Sequence, residues 1–473
     1  MAAKRHSIGA RSYSSLSLYT HFAGEDFIEE EKKQRRGSKI LVEGQQETPI
    51  EHEEEPFEKE EDLEYVTKAP TASVGKALFM FLKAFIGSGV LFLPKAYQNG
   101  GIALANVLMV IFAVTCLVSF LCLVKAQLIL GGSYGDIGQK LYGPVVRYSV
   151  LFFIVISQIG FVCSYFIFVS GNFKIVSDVL SNCRNWITQN NFVWFPLIIL
   201  IPLSLIRHLA RLSYCAIAAD VFILFGLIVI IYFTSWQLHN VGVGPNIIAV
   251  NNVDFGMTIS TAAFSFEGIG LLIPIVESME KPEKFPFVVT LGLIVITLVY
   301  VLIGTLSYLA YGDTIQAAVL YNFTPDDRLT VAVQLLYSLA IMLTMPFMLF
   351  PALKIIENGL FQKNSGRESY CIKMTKNVYR VLLCLLCAII AYFVGGDNLD
   401  KFVSLVGSIA CLPLCFIFPG LFHWKVTKNK WLHLVDGILI LWGAGMTVYT
   451  LYVTVNNWVH PAPPEHISTF CDA

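Results

Sequence analysis

The sequence predicts an all-α integral membrane protein with eleven transmembrane helices. Three observations predict it. About eleven apolar segments follow one another, each near the length of a bilayer crossing. Charged residues make up 14% of the chain and hydrophobic residues 55%, more apolar sequence than one water-soluble core absorbs. Two of the segments carry a glycine-flanked interruption at mid-membrane depth. A membrane helix opens its backbone only where protein or a cavity satisfies the freed groups.

Taken in order, residues 1–70 are polar and without periodicity. Basic Lys32, Lys33, Arg35 and Arg36 precede an acidic stretch from Glu51 to Glu64. Blocks of charge with few apolar residues predict a disordered tail. Ser7, Ser12, Ser14, Ser15 and Ser17 are candidate phosphorylation sites, and a solvated tail without regulation is the plain alternative. No signal peptide is visible, so the first membrane helix is expected to target the chain. The spans follow at about 73–98, 102–128, 145–177, 192–206, 211–236, 255–279, 285–311, 328–357, 375–394, 401–422 and 431–456. The fourth is short, and the third and eighth are long enough to tilt or protrude. The membrane domain thus covers 71–457, and 458–473 form a short tail.

Orientation follows from lysine and arginine in the short loops. Loops after even-numbered spans hold Lys140, Arg147, Arg207, Arg211, Lys281, Lys284, Lys363, Arg367, Lys373, Lys376, Arg380, Lys425, Lys428 and Lys430. Loops after odd-numbered spans hold mainly Lys95, Arg184, Arg328 and Lys401. The rich side is cytosolic, so the N-terminus faces the cytosol and the C-terminus the lumen or exterior. Asn322-Phe323-Thr324, in the loop after the seventh span, is a candidate glycosylation sequon on the side opposite the cytosol. Most of the eleven cysteines lie inside apolar segments, where thiols behave as small hydrophobes. No CxxC pair with metal spacing lies outside the membrane, so neither a metal nor a cofactor is expected. Cys183 and Cys471 share the lumenal side, and pairing depends on a Cα separation that sequence does not give. A net charge of -1 gives no reason to expect nucleic acid as a partner.

The first span contains KAFIGSGVLFLPKAY, residues 83–97, where Gly87, Ser88 and Gly89 interrupt an apolar run and Pro94 follows. Two glycines ease departure from helical geometry. A half-helix restarting near Val90 offers free N–H groups and a positive dipole end, to which a carboxylate is suited. Close helix packing through small residues is the alternative. The sixth span contains SFEGIGLLIPIVESME, residues 265–280, with Gly268 and Gly270 around the interruption and Pro274 beyond. Glu267 sits at that interruption. A carboxylate at mid-bilayer costs about 2.5–3.5 kcal/mol on insertion scales and is normally protonated, paired or functional. Three roles stay open for Glu267: carrying a proton, capping freed backbone groups, or meeting a substrate amine. Interruptions in the first and sixth spans divide the chain into spans one to five and six to ten, two repeats of inverted topology with the eleventh appended. Paired interruptions of this kind point to the substrate site of a secondary transporter.

At these motifs the sequence resembles the amino acid/auxin permease family of eukaryotic transporters. It is most similar to the fungal vacuolar amino-acid exporters of the AVT type and the animal proton-coupled amino-acid transporters. KAFIGSGVLFLPKAYQNGG (residues 83–101) is similar to the family's opening signature, and FSFEGIGLLIPIVESMEKPEKFP (264–286) to its sixth-helix signature. QIGFVCSYFIFVSGN (158–172) and LYSLAIMLTMPFMLFPALKIIE (336–357) resemble its third and eighth helices. The resemblance covers roughly residues 70–456. It implies a LeuT-like five-plus-five inverted repeat with helices 1 and 6 broken, neutral amino acids as substrates, and proton coupling. Carried over by position, Ile86, Gly87, Ser88 and Gly89 receive the substrate carboxylate. Ser265, Phe266 and Gly268 receive the amine through carbonyl oxygens, with Glu267 as a further candidate. The animal branch has a lumenal cysteine pair. Cys183 fits one partner, but the loop from Gly312 to Asp327 has no cysteine, which leaves the bridge open.

Further residues carry two readings each. Lys83, one turn before the first interruption, is a gating or structural charge between helices, or a lysine reaching for the cytosolic edge. Thr344 and Tyr165 line the site, or are an ordinary helix hydroxyl and core aromatic. Lys354 and Glu357 read as surface charges, and Glu277 and Glu280 as gate charges near Lys281 and Lys284. The expected function is proton-coupled symport of neutral amino acids into the cytosol from a vacuole or lysosome, with the plasma membrane as the alternative. Its expected partners are amino acid, proton and lipid. The rival reading is an amino-acid-sensing receptor signalling through its N-terminal tail. A membrane-embedded enzyme is not expected, because the nine histidines fall mainly in tails and loops.

Overall fold

The computed structural model describes residues 72–184, 186–206, 209–323, 328–361 and 370–460. The expected N-terminal tail and most of the C-terminal tail lie outside these residues. The described chain is helical, apart from one isolated bridge between Ala72 and Met279. Among the described residues nine helices are long and apolar enough to cross a membrane, and the pair Val74–Phe85 and Gly89–Gly100, bent by 43°, makes a tenth candidate. The expected fourth span is the shorter apolar stretch Gln189–Ser204.

Helix α1 (Val74–Phe85) starts at Ser73, whose side chain accepts the Lys76 N–H. A tight turn over Ser88–Phe92 leads into α2 (Leu93–Gly100), with Pro94 in its first turn. Gly101 ends α2 at φ +79°, and an added Cβ there would lie 2.7 Å from Ala249 O, so glycine is required on two counts. There follow α3 (Ile102–Leu130), α4 (Tyr134–Tyr142) and the 38-residue α5 (Pro144–Ser181). A Ser133–Asp136 capping box opens α4. Next come α6 (Leu197–Ser204), α7 (Leu209–Asn240), and α8 (Phe255–Ser265) continued by α9 (Ile269–Ser278). The chain closes with α10 (Phe285–Tyr311), α11 (Arg328–Leu360), α12 (Tyr370–Val394), α13 (Leu399–Val406), α14 (Phe418–Val426) and α15 (Lys430–Val459). The expected tenth span is not a plain helix. Between α13 and α14 it winds through wide π turns at Gly407–Cys411 and Pro413–Ile417.

Burial separates centre from periphery. The apolar window of Phe255–Ser278 is 83% buried by protein, that of Lys430–Val459 only 28%. Helix α8 packs against α2, α3, α13 and α15, whereas α7 leaves Ile217, Val221, Leu224 and Ile228 exposed along one face. A continuous apolar stripe without protein cover belongs against lipid. This is an integral membrane protein.

Two sequence expectations are corrected here. Glu357 is not a surface charge, and Arg380 is not a loop charge. Arg380 is fully buried in α12; its Nε and Nη2 donate to Glu357 Oε2 at 3.2 and 2.8 Å, and its Nη1 to Ser204 O at 2.8 Å. Lys376 adds a second cation at 3.3 Å from Glu357 Oε1. Lys354 is half-buried over the Phe350 ring. A cation at the end of an apolar helix reads as loop-facing from composition; a partner 23 residues away reverses that. Arg380→Met should destabilise the protein by about 3 kcal/mol, because it removes two hydrogen bonds from the buried Glu357 carboxylate, leaves it only Lys376, and takes the donor from Ser204 O. Joint replacement of Arg380 and Glu357 by Met should cost much less. Thermal unfolding in detergent compares the two.

Candidate functional site

Regular α-helix gives way between Phe85 and Ser88 and again between Ser265 and Ile269, and these two stretches lie against each other. Helix α1 stops at Phe85; Ile86 donates its N–H to Leu82 O, and Gly87 adopts φ −136°, ψ −140°. Helix α8 stops at Ser265, Phe266 turns back to Ala262 O, and Gly268 (φ −167°, ψ 8°) opens α9. The Ser265 hydroxyl donates to Gly89 O at 3.1 Å. A Cβ on Gly89 would lie 2.9 Å from Ser265 Cα, and one on Gly268 would lie 2.6 Å from the Phe85 ring. Both glycines thus serve close approach between the two segments. Gly87 has nothing within 4 Å of where its Cβ would be, so the interruption borders open space there.

Opening two helices frees carbonyls, and one side chain answers both. Tyr300 of α10 is fully buried, and its hydroxyl lies 2.7 Å from Phe85 O and 2.8 Å from Ser265 O. One hydroxyl proton is shared between the last carbonyl of α1 and that of α8. Sequence reading missed Tyr300. Nothing in LGLIVITLVYVLIG separates it from a core aromatic, because its partners lie 215 and 35 residues away.

The remaining expected residues divide. Phe266 contributes backbone only, its ring being packed between Tyr300 (5.0 Å) and Phe112 (5.6 Å). Tyr165 is buried on α5, within electrostatic reach of Tyr300 and Tyr337. Thr344 donates to Ala340 O of its own helix at 2.9 Å and is half-buried. Ser88 opens the turn that follows Gly87. Glu267 is half-buried, and among the described residues no side chain bonds or pairs with its carboxyl. Tyr134, Cys411 and Cys415 lie within reach of its field, the last two on the π turns. At the first of those turns a Cβ on Gly407 would collide with Ser260 O of α8. The widened helix is therefore drawn against the backbone of the sixth span, a common setting for π turns.

Lys83 forms an ion pair with Asp220 of α7, both half-buried. Asp220 was also missed, although an acid inside an apolar span is a visible signal. At the C-terminal end of α9, the Gln127 amide donates to Glu277 at 3.0 Å, and Ala72 bonds to Ser278 O and to the Glu280 N–H. Asn322 accepts the Gln316 N–H and donates to Thr314 O, each at 2.9 Å; Thr324 of its sequon lies outside the described residues. Cys183 is disulfide-bonded, and Cys471 lies outside the described residues.

The family model described as "Transmembrane amino acid transporter protein" matches residues 70–456. Vacuolar amino acid transporter 3 of Schizosaccharomyces pombe is 37% identical over 93% of this chain and 67% of its own length. Its namesake in Saccharomyces cerevisiae is 38% identical over 94% and 64%. The chain thus spans about two thirds of these fungal relatives. Amino acid transporter AVT3C of Arabidopsis thaliana is 30% identical over 76% of this chain and 85% of its own. Among solved structures, MhsT in complex with L-phenylalanine superposes with TM-score 0.53 at 12% identity, covering 82% of this chain and all of MhsT. Inward-facing Mhp1 gives TM-score 0.52 at 10% identity over 85% and 94%. These two likenesses bear on the fold alone, and they agree with a LeuT-like arrangement. On the match across residues 70–456, the chain belongs to the transmembrane amino acid transporter protein family.

Proposed function

We propose that this protein is a secondary transporter that moves neutral amino acids together with protons into the cytosol, by alternating access, across a vacuolar or lysosomal membrane. The observation that carries the reading is the meeting of the two interruptions, joined by Ser265 and Tyr300 and bordering open space at Gly87. An amino acid presents a carboxylate and an ammonium group. The first N–H groups of the turn after Gly87 have no acceptor within that turn and suit the carboxylate. Carbonyls of the 265–268 stretch suit the ammonium group. The names of the fungal relatives, vacuolar amino acid transporters, support the substrate class and the membrane.

In this reading the bent first pair and the short fourth stretch complete eleven crossings, as two inverted repeats plus one. The N-terminal tail is cytosolic, the C-terminus and Asn322 are lumenal, and Asn322 is open to glycosylation. Glu267 carries the proton, since an unpaired carboxyl inside a span has no other charge to hold it ionised. Lys83 and Asp220 tie the cytosolic half of helix 1 to the fifth span, and that tie must part for release to the cytosol.

Purified protein in liposomes should accumulate neutral amino acids under an inward proton gradient; no accumulation across a panel of them overturns the reading. Glu267→Gln should flatten the pH dependence of transport while substrate binding stays close to the parent, and an unchanged pH profile removes Glu267 from the proton step. Tyr300→Phe leaves two freed carbonyls short of a donor. It should lower transport by roughly 5- to 150-fold, the equivalent of about 1–3 kcal/mol, at normal expression. For the helix 1 tie, Lys83→Asp and Asp220→Lys should each impair transport, and the charge-swapped double variant should recover most of it. A double variant no better than either single one counts against pairing as their role.

A further inference from the structure

A second cluster of titratable groups lies away from the substrate site, where α3, α14 and α15 meet. His423 Nδ1 and Asp436 Oδ1 are 2.7 Å apart, and Cys122 Sγ approaches the same oxygen at 3.7 Å. Asp436 is fully buried, His423 is 3% exposed and Cys122 6%, and the second oxygen of Asp436 has no hydrogen-bond partner. Among the described residues Asp220, Glu267, Glu357 and Asp436 all lie inside spanning helices, and their partners sort them. Glu357 faces an arginine, which keeps its charge at any working pH. Asp220 faces a lysine, and Glu267 faces no cation. Asp436 faces a histidine, the side chain whose ordinary charge change falls between about pH 5 and 8. The step in pH between an acidic lumen and the cytosol lies in that interval.

We propose that the His423–Asp436 pair is a proton-binding site of the transport cycle, on the cytosolic side of Glu267. The inference rests on the proton coupling proposed above. With Nδ1–H held by the Asp436 carboxylate, an added proton sits on Nε2 and the pair is neutral overall. When that proton passes to cytosolic water, an imidazole and a carboxylate remain, and one net negative charge is left in an apolar setting. The packing of α14 against α3 and α15 then depends on whether the proton is bound. Tyr134 lies near both sites, within the field of Glu267 and packed edge-on against Phe422, the neighbour of His423 in sequence. Tyr134 donates to Leu414 O at 2.6 Å, Ser119 donates to Cys415 O, and Cys122 lies one turn beyond Ser119 on α3. Cys415 and Tyr134 are both within the field of Glu267.

The other titratable groups of the packed elements are accounted for. Lys125 of α3 is exposed and in reach of Cys122, and Lys425 lies over the Tyr142 ring. His433 of α15 is bound to Thr427 O and stacked on Trp424. On α4, Asp136 faces Arg147, and Lys140 donates to Leu130 O and Gly131 O. Lys428 and Lys430 are exposed. A metal ion is the rival occupant, but donors 2.7 Å apart are closer than ligands around zinc stand.

The test uses the full chain in liposomes, with His423→Gln and Asp436→Asn. Net transport of radiolabelled neutral amino acids is measured while the cytosolic-side pH is stepped between about 5 and 8. Exchange at equal pH, which needs no net proton movement, is measured beside it. Both variants should keep exchange and lose about tenfold of gradient-driven transport, with a flattened pH profile. Variant profiles that superimpose on the parent overturn the proposal, as does loss of activity on chelation that zinc restores. A parent protein without pH dependence instead overturns the underlying proton-coupled reading. Should the variants fail to fold, infrared difference spectra of the parent between the same pH limits decide. A buried pair gaining and losing a proton is expected, and no such change overturns the proposal.

Discussion

Lipid offers a polypeptide backbone no hydrogen-bond partner, so each place where a spanning helix opens must be answered from within the protein. Here the first and sixth spans open at the same point, and the answers come from two side chains. Tyr300 takes the carbonyls that end α1 and α8, and Ser265 takes the Gly89 carbonyl. The close approach of Gly89 to Ser265, and of Gly268 to the Phe85 ring, makes these reaches short enough. Other groups of the opened stretches border the space beside Gly87. Around this point the windows of Phe255–Ser278 and Gly396–Val426 are the most buried, each 83%, and that of Lys430–Val459 the least, 28%.

Charge inside the bilayer follows a related logic, in which the partner decides the role. Glu357 is held by Arg380 and Lys376 while Arg380 also takes Ser204 O, so this knot joins three helices. The Lys83–Asp220 pair is half-buried and joins a segment beside the interruption to a lipid-facing helix, a tie that can part at lower cost. Among the described residues Glu267 meets no cation, and Asp436 has a histidine. Four carboxyl groups of similar intrinsic chemistry thus range from one held by two cations to one that meets none among the described residues.

The π turns of the tenth span connect these two themes. Widening the helix at Gly407–Cys411 and Pro413–Ile417 releases carbonyls at Leu414 and Cys415, which Tyr134 and Ser119 take up. It also seats Gly407 against Ser260 O, where no side chain fits. Polar groups are thereby drawn into an apolar helix beside Glu267, along the direction that leads to His423.

What the sequence determined by itself is local. Segment length and composition set the membrane class, because a bilayer crossing demands a run of apolar residues that any reader of the chain can see. The glycine-flanked interruptions at 86–89 and 265–268 and the lone acid Glu267 were legible for the same reason: each departs from its immediate surroundings. Tertiary structure alone decided the partners. Arg380 read as a loop charge and Glu357 as a surface charge, Tyr300 is one aromatic among many in its span, and nothing local ties Asp220 to Lys83 or Asp436 to His423. Composition records what a residue is, whereas burial and pairing depend on which distant helix packs beside it. The π turns were hidden too, since a helix of the same residues keeps the same apolar pattern whether or not one turn is widened. Periodicity fixes the face a side chain occupies; packing between spans fixes what that face meets.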